Sequence, residues 1–294
     1  MNKGLDLQKQ QKDVKDTDWT FGAASTPCIA SIPQEERHIY LPNGELQYGI
    51  EDFMDCASRS PHNILEAKLN YLYLNGKLLP ENRQFLERNG YVNNGRVELS
   101  DRYTAIKSGT TRNGNSLVAP LDSIHRNGCI AKSMLPSNPT FTWEQYHNKA
   151  AITPAMDAVA YEFSQRFTIN YERVREEDLE LTIKYDFLDV ALYAWPEPTQ
   201  GIYPRTNASP NHVCCLFRGV FFAFDNYRDI VDQDFIKALA RDYKMYPDVY
   251  RIFISSERPG AVLGQPEAII SLYQRLIPLL VKLRDALKQK LGYA

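Results

Sequence analysis

The second half of this sequence contains four short apolar runs that predict the strands of one β-sheet. The runs lie at residues 188–195, 212–217, 220–224 and 250–255, and Pro, Gly or Asn residues flank them. They are rich in β-branched and aromatic residues, which favour strands in an antiparallel sheet. Before about residue 168 the apolar residues follow helical spacing instead. A helical first half followed by a sheet-forming second half indicates the α+β class.

Apolar residues at helical spacing predict the helices of the first half. The first helix is expected from Ser60 to about Leu79, with Ser60 as its cap and Pro61 in its first turn. The other expected elements are a shorter helix within residues 82–100 with a turn at 94–95, helices over 116–127 and 153–167, and a linker over 137–150.

Both ends of the chain differ from its middle. Residues 1–17 are polar and predict a flexible N-terminal arm. Residues 261–294 carry apolar residues at mostly 4,3 spacing, which predicts an amphipathic helix kinked at Pro278. Its apolar face has three open interpretations: docking on the chain's own core, self-association, or binding of a protein partner. Between the ends we expect a helical subdomain over 18–150 and a β-sheet subdomain over 151–260.

Composition excludes several classes of function. The formal net charge is −2 and no long basic run occurs, so nucleic acid is not expected as a main partner. No run of 18 apolar residues is present, and the first 16 residues lack the apolar stretch of a signal peptide. The five cysteines have no repeated spacing, so we expect free thiols in a reducing compartment such as the cytoplasm.

Cys56 and His212 are the residues best placed for chemistry. A cysteine nucleophile needs a base, a group that orients the base, and donors for an oxyanion. Cys56 stands at the entrance to the first helical segment, and His212 begins an apolar strand. The following segment FFAFDNY can pair with that strand and bring Asp225 or Asn226 close to the histidine. Alone, a buried cysteine or a histidine before a strand is usually a structural residue.

Several separated segments follow the same order as in the papain-like cysteine peptidases. The resemblance is to bacterial and viral members that lack a long prosegment, and it covers about residues 17–257. The segments that carry it are DTDWTFGA at 16–23, DFMDCASRSPHNILEAKL around Cys56, GNSLVAPLDSIHRNGCIAKSMLP at 114–136, FLDVALYAW at 187–195, NHVCCLF at His212, and AFDNY. The resemblance implies a papain-like α+β fold of two subdomains, here with an added C-terminal helix.

The resemblance also implies a role for each matching residue. Cys56 would be the nucleophile, and His212 the base and later the acid for the leaving amine. Asp225 would orient the imidazole if Tyr227 replaces the family's shielding Trp, with Asn226 as the alternative. Gln47 would donate to the oxyanion beside the N–H of Cys56. The implied function is a thiol peptidase that cleaves protein or peptide substrates through an acyl-enzyme, without a cofactor or metal.

Several departures from the family pattern support a second interpretation. Gln47 lies nine residues before Cys56 instead of the usual six, and Ala57 replaces a Trp. Acidic residues within 51–55 disfavour a thiolate, and a helix that begins only at Ser60 leaves Cys56 outside its dipole. These features, together with the C-terminal stripe, fit an inactive structural or interaction protein, for example a component of a virus particle.

Overall fold

The structure is a computed structural model that describes residues 3–13, 32–219, 221–227 and 234–255. These residues belong to one compact unit, Met1–Ser256. The predicted C-terminal helix over 261–294 and the segment at 16–23 lie outside the described residues, and the subdomain boundary after residue 150 stays a prediction. No helix of the described part is long and apolar enough to cross a membrane.

The described residues form helices and strands in the following order along the chain. The helices are α1 (Leu7–Asp13), α2 (Arg37–Tyr40), α3 (Cys56–Leu74), α4 (Pro80–Arg88), α5 (Asp101–Lys107), α6 (Val118–Asn127), α7 (Trp143–Tyr146), α8 (Pro154–Arg166) and α9 (Leu179–Tyr185). The strands are β1 (Val92–Asn93), β2 (Arg96–Val97), β3 (Thr168–Val174), β4 (Leu188–Leu192), β5 (Ile202–Tyr203), β6 (His212–Leu216), β7 (Phe222–Phe224), β8 (Ile236–Leu239) and β9 (Met245–Ser255).

One large sheet dominates the second half of the described chain. Its strand order is β3-β9-β4-β6-β7-β8-β5, and neighbouring strands are antiparallel except for β5 and β8. The sheet contains β4, β6, β7 and β9, which match the four predicted runs, and the turn at residues 94–95 joins β1 to β2. The α+β class is therefore confirmed.

The sequence missed several elements of this fold. The missed helices include α1, α2, α5 and α9, the missed strands include β3, β5 and β8, and a short helix, α7, also lies inside the predicted linker. Most side chains of β3 are only half-buried, because it pairs with β9 alone. An edge strand of this kind mixes polar and apolar residues and so lacks the apolar run by which the others were predicted.

The central helix begins earlier than the sequence predicts. The carbonyl of Asp55 accepts hydrogen bonds from the N–H groups of Ser58 (2.8 Å) and Arg59 (3.1 Å), which close the first turn of α3 at Cys56. Pro61 therefore lies inside the helix, where its missing N–H costs one backbone hydrogen bond. The predicted start at Ser60 was wrong, and the nucleophile candidate is the first helical residue.

Buried ion pairs fix α3 between the two halves of the fold. Arg59 is fully buried and lies 2.9 Å from a carboxylate oxygen of Asp55 and 3.1 Å from one of Asp101. Further along the helix, Lys68 lies 2.7 Å from Asp186, which lies two residues before the start of β4. Because each buried charge has a partner, the helix can be polar and still occupy the core.

The N-terminal residues differ from the flexible arm that was expected over residues 1–17. Leu5 is only 2% exposed and lies in the main hydrophobic core. The buried amide of Gln10 accepts from the N–H of Leu117 (2.7 Å) and donates to Asp248 (3.2 Å). A polar composition did not reveal this placement, since single side chains and specific hydrogen bonds hold residues 3–13 against the fold.

Candidate active site

The structure brings Cys56 and His212 together at the contact between α3 and β6. Cys56 is the first residue of α3 and His212 the first of β6, and the two elements pack against each other. The imidazole of His212 and the backbone N–H of Val213 lie near enough to the thiol to lower its pKa. Both side chains are buried, with exposed fractions of 1% for Cys56 and 0% for His212.

Asp225 binds the far side of the imidazole ring. Pairing of β6 with β7 places the residue after Phe224 beside His212, and the Asp225 Oδ1 atom lies 2.6 Å from His212 Nε2. The other carboxylate oxygen accepts from the indole N–H of Trp195 at 2.7 Å. The backbone N–H of Tyr227 also donates to Oδ1, at 3.1 Å. Three N–H groups therefore converge on this carboxylate.

Trp195 is a site residue that sequence reasoning missed. It is the last residue of a predicted strand, where an aromatic residue is ordinarily part of the core, and it is 30 positions from Asp225. Only the fold of the sheet reveals that its N–H reaches the carboxylate. No local sequence signal could have found it.

Asn226 does not contact the imidazole. Its side chain accepts from Asn63 at 2.5 Å and donates to the carbonyl of Glu45 at 2.8 Å. Its own carbonyl accepts from the N–H of Gln47 at 2.9 Å. Of the two candidates for the orienting residue, the structure places Asp225 at His212 and Asn226 at the segment that carries Gln47.

Gln47 reaches the site despite its longer spacing from Cys56. A tight turn, closed by a bridge between Tyr48 and Asp52, takes up the extra residues. The buried Gln47 side chain donates from Nε2 to the carbonyl oxygen of Lys3 (2.8 Å) and to Asp52 (2.9 Å). The same Lys3 oxygen lies 3.2 Å from His212 Nδ1. A carbonyl oxygen can thus contact the amide and the imidazole at once.

The acidic residues before Cys56 are compensated by partners that the sequence did not reveal. Asp55 is paired with Arg59 and accepts from the hydroxyl of Tyr146. Burial raises the pKa of Asp55 to about 6, although Arg59 opposes the shift. Asp52 accepts from the N–H of Met54 at 2.7 Å as well as from Gln47. The negative charge near the thiol is therefore smaller than the sequence suggested.

The pKa values of the thiol and the imidazole reflect their burial and their contact. Burial raises the pKa of the Cys56 thiol, whereas the adjacent His212 lowers it by less. For His212, burial lowers the pKa, but the carboxylate of Asp225 and the thiol of Cys56 overcome this and raise it to about 10. The environment thus favours a protonated imidazole at neutral pH, which is the form that stabilises a thiolate.

Two aromatic rings border the imidazole edge-on. The Tyr227 ring centroid lies 5.7 Å from that of His212 and the Trp195 centroid lies 6.4 Å from it, with interplanar angles of 67° and 71°. Tyr227 is the residue expected in the place of a shielding Trp. Ala57 is fully buried and contributes only a methyl group. Aromatic cover of this kind keeps water from the hydrogen bond between His212 and Asp225.

The chain's own N-terminal residues cover the thiol. The Lys3 N–H donates to the carbonyl of Asn211 at 2.9 Å, in addition to the two contacts of its carbonyl. Gly4 follows with a φ of +107°, and a Cβ added there would lie 2.9 Å from the Cys56 sulfur. The site therefore holds a peptide segment beside Cys56, His212 and Gln47.

The described cysteines are free thiols, and no metal site accompanies them. Cys56, Cys129, Cys214 and Cys215 are buried and unpaired. Within the described ranges, no group of three or more His, Cys, Asp or Glu side chains is arranged to hold a metal ion.

Asp189 gives a prediction for the stability of the helix that carries Cys56. It lies on β4, fully buried, and accepts from the Ser60 hydroxyl of α3 at 2.5 Å. Burial raises its pKa from 3.8 to about 7. Asp189 thus binds a proton more tightly in the folded state than in the unfolded state. Its ionisation therefore lowers the free energy of unfolding, and this penalty is absent below pH 3.8 and complete above pH 7. We expect this penalty to reach on the order of 4 kcal/mol.

We expect Asp189→Asn to remove this pH dependence, because an amide keeps the acceptor for Ser60 and does not ionise. Urea unfolding at pH 5, 6, 7 and 8 measures it: the variant should gain stability over wild type as the pH rises. Equal slopes for the two proteins between pH 5 and 8 would contradict the prediction.

Comparison with known proteins gave structural neighbours alone. No model of a protein family matches the sequence, and no curated protein matches it significantly. Among solved structures it is similar to the proform of the ragweed pollen cysteine protease Amb a 11, with 12% identity, a TM-score of 0.48 and coverage of 84% of this chain and 71% of that one.

Two further neighbours are cysteine proteases from a plant and a bacterium. CMS1MS2 of Carica candamarcensis, in complex with E-64, has 13% identity and a TM-score of 0.46 and covers 78% of this chain and 100% of its own. Xylellain of Xylella fastidiosa has 14% identity and a TM-score of 0.46, with coverage of 79% and 92%. Likenesses at this identity concern the fold and leave activity to be argued from the site.

Proposed function

We propose that this chain is a papain-like thiol peptidase of the bacterial and viral type, which cleaves peptide bonds in proteins or peptides. The observation that carries the proposal is the convergence of Cys56, His212 and Asp225, with the Gln47 amide directed at the same carbonyl oxygen as the imidazole. These are the parts that nucleophilic catalysis by a thiol requires.

The geometry supports a definite sequence of proton transfers. Because His212 Nε2 is bound to Asp225, its Nδ1 atom faces the thiol and accepts the proton of Cys56. The thiolate attacks a substrate carbonyl, and the oxygen that gains the charge accepts from Gln47 Nε2. His212 then returns its proton to the leaving amine, which leaves a thioester on Cys56. Water activated by His212 hydrolyses the thioester and restores the thiol.

The contacts of Lys3 support a peptide as the substrate class. Its carbonyl lies 2.8 Å from Gln47 Nε2, and its N–H donates to the carbonyl of Asn211, the residue before His212. The Gln47 side chain and the Asn211 backbone thus bind the acceptor and the donor of one residue. A binding mode that uses only the backbone groups of the bound peptide suits protein substrates of varied sequence.

The alternative, an inactive structural protein, loses two of its arguments. The helix start at Cys56 places the thiol at the helix N-terminus, where the dipole favours a thiolate. The charge of Asp55 is compensated by Arg59. A third argument is the apolar stripe over residues 261–294. These residues lie outside the part of the chain that the structure describes. The experiment below separates the two interpretations.

The first test is the rate of Cys56 alkylation by iodoacetamide at pH 6, compared between wild type and His212→Ala. An imidazolium partner should make wild type react at least about tenfold faster, since a lone thiol near pKa 8.5 is less than about 1% ionised at this pH. The residues that cover Cys56 are the same in both proteins. The ratio of the two alkylation rates therefore reports the effect of the ion pair between Cys56 and His212.

Peptide hydrolysis completes the test. Wild type should cleave an unfolded protein substrate, and Cys56→Ala should not, although both should unfold at similar temperatures. Similar alkylation rates in wild type and His212→Ala, or cleavage that persists in Cys56→Ala, would refute the proposal.

A further inference from the structure

The turn of residues 48–52 presents one carboxylate oxygen to the Gln47 side chain. An antiparallel bridge between Tyr48 and Asp52 closes this turn. The Asp52 Oδ1 atom accepts from Gln47 Nε2 at 2.9 Å and from the backbone N–H of Met54 at 2.7 Å. A single oxygen therefore binds both the amide of Gln47 and the backbone that leads into α3.

The surroundings of the turn fix the position of this oxygen. A Cβ added to Gly49 would lie 2.4 Å from the carbonyl oxygen of Pro139, so the turn packs closely against that segment. The carboxylate of Glu51 accepts from the backbone N–H of Trp143, the first residue of α7, at 3.1 Å. Contacts at the middle of the turn and the bridge that closes it therefore leave it little freedom to move.

The orientation of the Gln47 amide depends on what accepts from its nitrogen. The NH₂ group of an amide has two N–H donors, and those of Gln47 go to Asp52 and to the carbonyl oxygen of Lys3, at 2.9 and 2.8 Å. Among the residues that the structure describes, none donates to the buried Gln47 Oε1 atom. If the amide were reversed, its oxygen would face the position of the oxyanion and repel the developing charge.

We propose that Asp52 is a positioning residue for the oxyanion donor, an inference that rests on the proposed function. Its Oδ1 atom accepts one N–H of the Gln47 amide and so directs the other toward the carbonyl oxygen of the substrate. That oxygen gains charge only when the thiolate attacks, so the N–H stabilises the tetrahedral intermediate more than the bound substrate. Asp52 thereby accelerates the reaction through Gln47 without touching the substrate.

The charge of Asp52 has the opposite effect on the thiol, which allows its two effects to be separated. Burial is the main cause that raises the pKa of the Cys56 thiol, and the charge of Asp52 adds to it. Asp52→Asn removes the charge but keeps one oxygen that can accept from both N–H groups. Asp52→Ala removes the charge and the acceptor together. A residue that acted by its charge alone would give the same result in both variants.

Two reactions of Cys56 with small reagents test the inference. In acylation by p-nitrophenyl acetate, the thiolate attacks the ester carbonyl, a tetrahedral oxyanion forms, and p-nitrophenolate leaves. In alkylation by iodoacetamide, the thiolate displaces iodide and no oxyanion forms. Both reactions need the same thiolate and the same access to it. The ratio of the acylation rate to the alkylation rate therefore reports the oxyanion donors.

We expect Asp52→Ala to lower this ratio at least about tenfold, since the loss of a whole oxyanion donor costs about 10²- to 10³-fold. Asp52→Asn should keep the ratio within about threefold of wild type, because its oxygen accepts the same two hydrogen bonds without the charge. Alkylation of Asp52→Asn at pH 6 should be faster than that of wild type, because the pKa of the thiol falls.

Asp52→Ser guards against a loss of local structure in Asp52→Ala. Met54 has a φ of +57°, a conformation that residues with a Cβ rarely adopt, and its N–H is bound by Asp52. A serine hydroxyl can accept from an N–H two residues further on, as an aspartate does, but its oxygen is one bond closer to the backbone and falls short of the Gln47 amide. Asp52→Ser should therefore lower the ratio as Asp52→Ala does.

Gln47→Ala shows whether Asp52 acts through the amide. In the Gln47→Ala background, Asp52→Ala should lower the ratio no further, because no amide remains to be oriented. A second loss of about tenfold in that background would mean that Asp52 affects acylation by another route, which would overturn the inference.

Glu51→Ala is the matched control. Glu51 precedes Asp52 in the same turn and also carries a carboxylate, but that group binds the N–H of Trp143 at 3.1 Å and lies 3.5 Å from Arg112. This variant should keep the wild-type ratio. Thermal unfolding of all variants verifies that they are folded.

The outcomes distinguish this inference from the proposed function. Folded Asp52→Ala and Asp52→Ser proteins that keep the wild-type ratio would overturn the inference, and so would an Asp52→Asn protein whose ratio falls as far as that of Asp52→Ala. A wild-type chain that the ester acylates but that cleaves no unfolded protein would refute the peptidase. The ratios of the variants would still decide the role of Asp52, because they do not depend on peptide hydrolysis.

Discussion

Asp225→Asn is expected to lower kcat/KM for peptide hydrolysis by about 10²- to 10⁴-fold, because an amide cannot replace both oxygens of this carboxylate. Oδ1 accepts from His212 and from the N–H of Tyr227, and Oδ2 accepts from Trp195 at 2.7 Å. An asparagine can offer an oxygen to only one of these two sides.

Either orientation of the amide is unfavourable. If its oxygen faces His212, its NH₂ group meets the indole N–H of Trp195, and two donors oppose each other in a buried position. If its NH₂ faces His212 instead, the ring must accept at Nε2 and carry its proton on Nδ1. An imidazole in that tautomer cannot take the proton of Cys56.

Trp195→Phe provides the decisive comparison. In wild type it removes one donor to Asp225 and should reduce activity modestly. In the Asp225→Asn background it removes the opposing donor, so the amide oxygen can face His212, and we expect at least about tenfold recovery, a coupling that only contact residues show. The double variant should stay below wild type, because a neutral amide does not stabilise imidazolium.

The measurement is kcat/KM for the four proteins over pH 5–9, with thermal unfolding as a check on folding. Because Asp225 raises the pKa of His212, Asp225→Asn should also move the upper limb of the pH profile to lower pH. If the factors by which the two single variants lower kcat/KM simply multiply in the double variant, the proposed coupling between Trp195 and Asp225 is contradicted.

The order of the catalytic candidates could be predicted from the sequence, since each stands at the start or end of an apolar segment. Cys56 begins α3, His212 begins β6, and Asp225 directly follows β7. The positions of His212 and Asp225 follow from local periodicity. The sequence placed Cys56 before the central helix, whereas the structure makes it the first helical residue. The choice between Asp225 and Asn226 could not be predicted from the sequence, because a shift of one residue changes the side of the chain on which each side chain lies.

Contacts between distant segments could not be predicted. The charge of Asp55 was expected to disfavour a thiolate, and its compensation depends on Arg59 as well as on Tyr146, which is 91 residues away. Residues 3–13 were expected to be flexible because they are polar, yet Gly4, Leu5 and Gln10 are buried. Composition describes a segment on average, whereas such placements depend on single side chains.

Arg37→Met is expected to lower the free energy of unfolding by about 3–5 kcal/mol, the largest loss of stability that we predict for one side chain. Arg37 lies on α2 and is fully buried. Its guanidinium donates only to backbone carbonyls, at distances of 2.7–3.1 Å. The acceptors are Ile32, Ile183, Lys184, Asp186 and Phe217.

These carbonyls explain the size of the effect. Two of them belong to the last turn of α9, where the helix itself provides no donors. A methionine fills a similar volume but leaves all five oxygens without their donor in a dry environment, and each unsatisfied group costs about 1–3 kcal/mol before relaxation. Lysine, with three donors on one nitrogen, should be intermediate.

Arg83→Met is the matched control, because Arg83 has a side chain that is 44% exposed and pairs with Glu87 one turn away at 3.0 Å. An exposed pair of this kind contributes about 0–1 kcal/mol. Urea unfolding of both variants should separate them by at least about 2 kcal/mol on these values. A loss for Arg37→Met no larger than that for Arg83→Met would show that water reaches the five carbonyls.

Arg37→Met also separates an effect on stability from an effect on the catalytic groups. Arg37 contacts the end of α9 and Phe217, at the opposite end of β6 from His212. Its loss should therefore reduce the folded fraction without changing the pH dependence of Cys56 alkylation in the protein that remains folded. A shifted pH profile in Arg37→Met would mean that the position of β6, and with it the imidazole, depends on this buried guanidinium.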